Sequence, residues 1–241
     1  MPTVPMTRAD LARMIDDTLL EPEATDADVA HLCREATRLG AGAICVSPSR
    51  LPLLSGVLAP GIKIVAVVGF PSGAHVDAVK AAEAAAAVAA GAAELDMVID
   101  LGAAFAGRWE PVTAEVAAVR AAVGPDVLLK AILETAAIGL GRIPAACAAV
   151  EAGGADFVKT STGFHPAGGA TVEAVRAMAA AVGGRLGIKA AGGIHTAEAA
   201  LALVTAGATR IGTSHAAAIL AGLPDGTSEA TSPRGPDADE R

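Results

Sequence analysis

The chain has 241 residues, of which 53% are hydrophobic but only 2% aromatic, and its formal net charge is −8. This length suits a single α/β barrel domain, since such barrels commonly run to about 250 residues. An acidic chain that has few aromatic rings to stack on bases and no basic stripe is not expected to bind nucleic acid.

The start of the chain and its cysteines predict a cytoplasmic protein. No long apolar core follows a basic segment, so no secretory signal is expected, and the Ala-rich run at 81–93 is typical of a surface-packed helix, not of a membrane span. Cys33, Cys45 and Cys147 form no CxxC pair, which argues against a disulfide framework and a structural zinc site. Cys45 is expected to be a small buried hydrophobe.

Short branched-apolar runs alternate with longer Ala-rich stretches, a pattern typical of βα units and a parallel sheet. We predict eight strands, within residues 12–18, 43–47, 63–70, 93–100, 127–134, 156–162, 186–193 and 209–214. Helices are expected at 77–90, 111–123, 145–152, 172–182 and 197–206, which lack internal Gly or Pro. This arrangement predicts a single-domain α/β fold, a (β/α)8 TIM barrel over residues 1–223.

Residues 224–241 differ in composition from the rest of the chain. They consist mainly of Asp, Gly, Ser, Thr, Pro and Arg without apolar periodicity. Such a segment cannot bury enough surface to offset its ordering entropy. We therefore predict a disordered C-terminal tail.

Charged side chains lie inside otherwise apolar predicted strands: Asp16, Asp96, Lys130, Lys159 and Lys189. Catalytic groups of such barrels come from the carboxyl ends of strands, and a lysine in an apolar strand is costly unless it is paired or its pKa falls. The residues assign no role to Lys130.

Lys159 and Lys189 lie in consecutive predicted strands, so their side chains could meet inside the barrel. Two close ammonium groups lower one another's pKa, and a lysine must be neutral to attack a carbonyl. This pair therefore predicts an amine nucleophile, with Asp96 as a carboxylate for proton transfer. The alternative is that each lysine merely pairs with a carboxylate such as Asp96 or Glu134 and seals the barrel mouth.

Glycines and a serine lie at or directly after the ends of the last three predicted strands: Gly163, Gly192, Gly193, Gly212 and Ser214. Loops after strands seven and eight commonly hold a phosphate in these barrels, although each glycine alone is typical of a tight turn. The 5 histidines form no HxH, HxxxH or HExxH pattern, so no metal is expected. His31 is expected on a surface helix without a role in the site.

Six segments resemble the deoxyribose-phosphate aldolase family and occur in the same order: GFPSG at 69–73, ELDMVID at 94–100, LLKAILET at 128–135, GADFVKTSTGF at 154–164, IKAAGGI at 188–194 and RIGTS at 210–214. The resemblance runs from about residue 15 to residue 219. It implies reversible cleavage of 2-deoxy-D-ribose 5-phosphate into acetaldehyde and D-glyceraldehyde 3-phosphate through a Schiff base, without a cofactor.

The resemblance also implies roles for individual residues. Lys159 matches the Schiff-base lysine, Lys189 the lysine that tunes it, and Asp96 the proton-transfer carboxylate. Residues that match substrate-binding positions are Asp16 and Thr18, near the sugar hydroxyls, and Gly163, Gly192, Gly193, Gly212 and Ser214, around the phosphate.

This chain departs from the family pattern at two phosphate-site positions. His195 stands where Arg is frequent, and His215 where a small residue is usual. Histidine changes charge near neutral pH, so phosphate affinity is predicted to depend on pH. The chain has no Tyr, so its tail cannot supply a tyrosine proton relay.

Two other functions compete with this interpretation. One is a Schiff-base aldolase or transaldolase-like enzyme that acts on a different sugar phosphate, because the lysine pair defines the chemistry better than the substrate. The other is a catalytically silent barrel that senses sugar phosphates, suggested by the two histidines. In each case the partner is a small-molecule sugar phosphate, and we expect a homodimer.

Overall fold

The computed structural model describes residues 6–223. Eight parallel strands close into a barrel in chain order, which confirms the predicted (β/α)8 fold. The strands are β1 (Ile15–Leu19), β2 (Ala43–Val46), β3 (Lys63–Val68), β4 (Glu94–Val98), β5 (Leu128–Ile132), β6 (Phe157–Lys159), β7 (Gly187–Ala191) and β8 (Arg210–Thr213). The predicted disordered tail at 224–241 lies outside the described residues.

Ten α-helices lie in the described part of the chain. They are α1 (Arg8–Met14), α2 (Asp26–Leu39), α3 (Asp77–Ala89), α4 (Leu101–Phe105), α5 (Trp109–Val123), α6 (Thr135–Ile138), α7 (Ile143–Ala152), α8 (Val172–Val182), α9 (Ala197–Thr205) and α10 (Ala216–Ala221). None of these helices is long and apolar enough to cross a membrane.

Some element boundaries differ from the predicted ones. Residues 12–14, predicted as strand, form the last turn of α1, because Thr7 and Asp10 make a reciprocal capping box that starts a helix there. Helices α5 and α7 begin two residues earlier than predicted. Their first turns contain Pro111 and Pro144, and proline is tolerated there because its missing N–H would have no helical partner.

Successive side chains of each strand point alternately into the barrel and outward towards the helices. In β4, Leu95 and Met97 point outward and join the apolar layer between strands and helices, whereas Asp96 points into the barrel. Cys45 is fully buried among Ala43, Val65 and other apolar side chains, and this burial raises the pKa of its thiol to about 11. The expected hydrophobic role of Cys45 therefore agrees with its surroundings.

A buried ion pair outside the barrel fastens two helices to the end of β4. Lys80 of α3 lies 2.5 Å from Glu115 of α5 and donates to the Val98 carbonyl at 2.8 Å. The second Glu115 oxygen accepts from the Asp100 backbone N–H at 2.7 Å. Both side chains are almost fully buried, so each charge depends on the other to offset the free-energy cost of its removal from water.

Replacing Lys80 by Met should strongly destabilise the fold. The change keeps the side-chain volume but leaves the Glu115 carboxylate buried without its cation, which costs about 3–5 kcal/mol of unfolding free energy. Denaturant unfolding at neutral pH measures this. The control is Arg13→Ala, which removes the exposed Arg13–Asp10 pair and should leave the unfolding midpoint unchanged. Equal midpoints for the two variants would show that the buried pair adds nothing to stability.

Candidate active site

Charged side chains from six strands point into the interior of the barrel. Strand register explains this, because Asp96 pairs with Lys130 on the next strand and Lys159 pairs with Lys189. Register partners on neighbouring strands point to the same face of the sheet. We refer to the resulting set as the ion network: Asp16, Glu94, Asp96, Lys130, Lys159, Lys189 and Arg210.

Asp96 lies at the centre of the ion network and contacts three lysines. Its Oδ2 accepts from Lys159 Nζ at 2.8 Å and from Lys189 Nζ at 2.7 Å, while Oδ1 accepts from Lys130 Nζ at 2.9 Å. The two lysines predicted to meet therefore share one carboxylate oxygen. Glu134, which the alternative interpretation paired with a lysine, instead accepts from Thr162 Oγ1 at 2.6 Å.

Asp16, Glu94 and Arg210 complete the ion network. Asp16 accepts from Lys189 through Oδ2 and from Arg210 Nη1 through Oδ1 at 2.8 Å. Glu94 lies 2.7 Å from Lys130 Nζ and accepts from Arg210 Nη2 at 3.3 Å. Asp16 was expected to touch substrate hydroxyls. Its carboxylate is instead fully buried and directed at two cations, so it does not line the cavity described below.

The ion network contains more cationic than anionic side chains. Four cationic side chains face three carboxylates, so the network carries one excess positive charge when every lysine is protonated. Of its three lysines, Lys159 is the one that lines the cavity above.

Neighbouring charges shift the pKa values of Asp96 and Lys189 in favour of their charged forms. Burial alone would raise the pKa of Asp96, but Lys130, Lys159 and Lys189 outweigh it and hold this pKa well below its ordinary value. Burial alone would lower the pKa of Lys189, but the carboxylates of Asp16 and Asp96 raise it above the usual lysine range. The prediction that each lysine has a lowered pKa is thus wrong for Lys189, which stays an ammonium ion.

A cavity of about 320 Å³ opens above Lys159 at the carboxyl ends of the strands. Predicted site residues that line it are Thr18, Lys159, Gly163, Gly192, Gly193, His195, Gly212 and Ser214. The other predicted residues, Asp16, Asp96 and Lys189, lie beneath it in the ion network. Lys159 is therefore the lysine of the ion network that lines the cavity, together with glycines of the loops after β6 and β7.

Two glycines of the cavity wall are fixed by close packing. A Cβ on Gly192, which has φ +90°, would lie 3.1 Å from Gly169 Cα and 3.2 Å from Gly163 Cα, so the loops after β6 and β7 interlock here. A Cβ on Gly212 would lie 2.9 Å from Lys189 Cε. Gly212 therefore makes room for a lysine of the ion network, a role that sequence reasoning did not assign to it.

Glu134 supports the loop after β6 from behind. It is the residue other than glycine with a left-handed backbone in the described chain, at φ +52°, and it is 1% exposed. Its carboxylate accepts from the Thr162 backbone N–H and hydroxyl. Such strain persists only where surrounding contacts enforce it, and here it orients the loop that carries Gly163.

The two unusual histidines contact each other at the rim of the cavity. Nδ1 of His195 lies 3.1 Å from Nδ1 of His215, with the rings at 82°. Ser214 Oγ is also 3.1 Å from His215 Nδ1. His31, expected to be outside the site, lies on the exposed face of α2.

Sequence reasoning missed Glu94 and Arg210 and assigned no role to Lys130. All three carry the signal that identified the other members, a charge inside an apolar strand. Glu94 lies two residues before Asp96 and so on the same face of β4, and Arg210 is the register partner of Lys189.

Fold and site together define a class, a (β/α)8-barrel enzyme with a buried lysine centre at the carboxyl ends of its strands. Within that class the sequence profile of DeoC/LacD family aldolases matches residues 10–223. The chain belongs to this family of aldolases.

Individual relatives agree with this assignment. The chain is 59% identical over 218 residues to a deoxyribose-phosphate aldolase of Kocuria rhizophila, covering 90% of this chain and 99% of that one. It is 56% identical over 226 residues to one of Frankia alni, covering 91% and 100%. Among solved structures, a deoxyribose phosphate aldolase from Aeropyrum pernix, described as tetrameric, matches with a TM-score of 0.79 and 34% identity, covering 89% of this chain and 91% of that one.

Gly212→Ala should strain the ion network. The added methyl group lies within overlap distance of the Lys189 side chain, and overpacking of this kind typically costs about 1–3 kcal/mol. Denaturant unfolding measures the loss. Gly141→Ala is the matched control, because a Cβ there meets no atom within 4 Å and its φ is not left-handed. If both variants are as stable as the parent chain, Gly212 is not required for packing of Lys189.

Proposed function

We propose that this chain reversibly cleaves 2-deoxy-D-ribose 5-phosphate into acetaldehyde and D-glyceraldehyde 3-phosphate, with Lys159 as the Schiff-base nucleophile. The observation that carries the proposal is the position of Lys159. It is the lysine of the ion network that lines the cavity, and it shares an Asp96 oxygen with the permanent cation Lys189. The names of the relatives support the choice of substrate.

The chemistry begins with attack of neutral Lys159 on the aldehyde carbon of the open-chain sugar. Loss of water gives an iminium ion, which accepts the electron pair of the C2–C3 bond when that bond breaks. The C3 hydroxyl proton leaves to a base, and D-glyceraldehyde 3-phosphate departs. The remaining enamine is protonated and hydrolysed, which releases acetaldehyde and restores the lysine.

Lys189 and Asp96 support this sequence from beneath the cavity. The ammonium group of Lys189 repels a second positive charge on Lys159, which favours the neutral amine needed for attack. Asp96 contacts the nitrogen atom at which protons are gained and lost, and this position supports a role in proton transfer. We assign Asp16 a positioning role, because it holds Lys189 and Arg210.

The substrate phosphate is proposed to lie between the glycine loops and the histidine pair. Gly192, Gly193 and Gly163 leave the backbone accessible on one side of the cavity, and His195 faces it from the rim. Thr18 also lines the cavity, where it can bind a sugar hydroxyl. The cytoplasmic location and the homodimer remain predictions.

Substrate turnover distinguishes the proposal from its two competitors. We expect acetaldehyde release from 2-deoxyribose 5-phosphate that continues in the presence of EDTA. We also expect borohydride added with substrate to inactivate the enzyme, because reduction turns the imine into a stable amine. Peptide mass spectrometry should then locate the adduct on Lys159.

Each competing function has its own outcome. Borohydride trapping with another sugar phosphate but not with deoxyribose phosphate would indicate an aldolase of different specificity. Binding without turnover or trapping would indicate a sensor. An adduct on Lys189 or Lys130 would contradict the assigned roles, and activity lost to EDTA and restored by zinc would indicate a metal-dependent reaction.

Lys189→Leu should move the pH–rate profile of cleavage towards alkaline pH. Without the neighbouring cation Lys159 keeps its proton to higher pH, and a shift of about one pH unit corresponds to about 1.4 kcal/mol. The pH dependence of kcat/KM measures this shift, because it reports ionisations of the free enzyme. Lys63→Leu, at an exposed position of β3, should leave the profile in place. An unchanged profile in Lys189→Leu would mean that this cation does not tune the nucleophile.

A further inference from the structure

The two histidines at the cavity rim bring two imidazole nitrogens into contact. Nδ1 of His195 and Nδ1 of His215 are hydrogen-bonded at 3.1 Å, and Ser214 Oγ lies at the same distance from His215 Nδ1. The contact holds two imidazole nitrogens close enough to bind one ion, and imidazole nitrogen is a ligand that suits zinc, copper and nickel.

The separation of the two nitrogen atoms fits one shared ion. Imidazole nitrogen lies about 2.0–2.1 Å from zinc, so two such ligands are about 2.9 Å apart at a right angle and about 3.4 Å apart at the tetrahedral angle. The observed 3.1 Å falls between these limits. The near-perpendicular rings, at 82°, allow both nitrogens to face one ion without stacking of the rings.

The backbone holds the two histidines side by side. The hydroxyl of Thr213 donates to the Ile194 carbonyl at 2.8 Å and accepts from the His215 backbone N–H at 2.9 Å. One side chain therefore ties the residue before His195 to His215 itself. The two imidazoles are brought together by this bridge between the ends of β7 and β8, which lowers the entropy cost of chelation.

We propose that His195 and His215 form a binding site for a divalent transition-metal ion of the zinc or nickel type at the rim of the cavity. Each ring binds through Nδ1 and carries its proton on Nε2, so a neutral pair needs a change of tautomer but no net proton loss. Ser214 and water complete the coordination. The ion takes no part in the bond-breaking steps of the proposed cleavage, although its site borders the proposed phosphate position.

Other metal-binding side chains in the described chain do not compete strongly. Cys33, Cys45 and Cys147 are buried. Within residues 6–223 no group of three or more His, Cys, Asp or Glu side chains is arranged to hold an ion. Binding of zinc by this part of the molecule should therefore depend on the histidine pair.

The test is calorimetric titration of the untagged full chain with ZnCl2, NiCl2 and MgCl2 at about pH 7.5, where imidazole is mostly neutral. We expect one zinc or nickel ion per chain and no magnesium binding, since magnesium prefers oxygen ligands. His195→Gln and His215→Gln should each weaken zinc binding about tenfold or more, as even supporting partners of metal ligands contribute that much. His75→Gln, at another exposed histidine, should leave it unchanged.

A zinc-soaked crystal should show an anomalous peak between the two rings. Absence of zinc binding, equal binding in His195→Gln and the parent chain, or a peak elsewhere would overturn the proposal. Zinc binding is measured without substrate and acetaldehyde release without added metal, so failure of one proposal is distinguishable from failure of the other.

Discussion

The carboxylate of Asp96 is the constraint on which the rest of the site depends. One buried anion contacts three lysines, and two of them share a single oxygen atom. Without Asp96 the three lysines would lose the anion that they share, and Lys159 would lose the carboxylate of the ion network that it contacts. With Asp96 and Asp16 in place, the pKa of Lys189 is raised and Lys189 remains a cation beside Lys159. Lys159 is the member of the ion network that lines the cavity.

The barrel makes this arrangement possible because alternate residues of its parallel strands point into the interior. Lys159 and Lys189 are register partners, as are Asp96 and Lys130. Charged side chains on neighbouring strands therefore lie at the same level along the barrel axis. The outward residues of the same strands, such as Leu95 and Met97, pack under the helices. Stability and chemistry are thus carried by opposite faces of each strand.

The eight strands and the main charged residues of the ion network could be predicted from the sequence. Apolar runs marked all eight strands, and charges inside those runs marked Lys159, Lys189 and Asp96, because few other reasons place a charge there. The partner of each charge could not be predicted, since it depends on register across strands far apart in sequence. This is why Glu134 was paired with a lysine and Arg210 was missed. The left-handed backbone of Glu134 and the space that Gly212 leaves for Lys189 have no local signal either.

The interlocked glycines of the loops after β6 and β7 have a consequence for how the molecule can change. Gly163 and Gly169 both pack against Gly192, so a side chain at Gly169 or Gly192 would displace the neighbouring loop. The rim residues His195 and His215 are free of that restriction, because their side chains are exposed. A substitution that alters what the cavity accepts therefore meets less steric resistance at the rim than in the wall formed by these glycines.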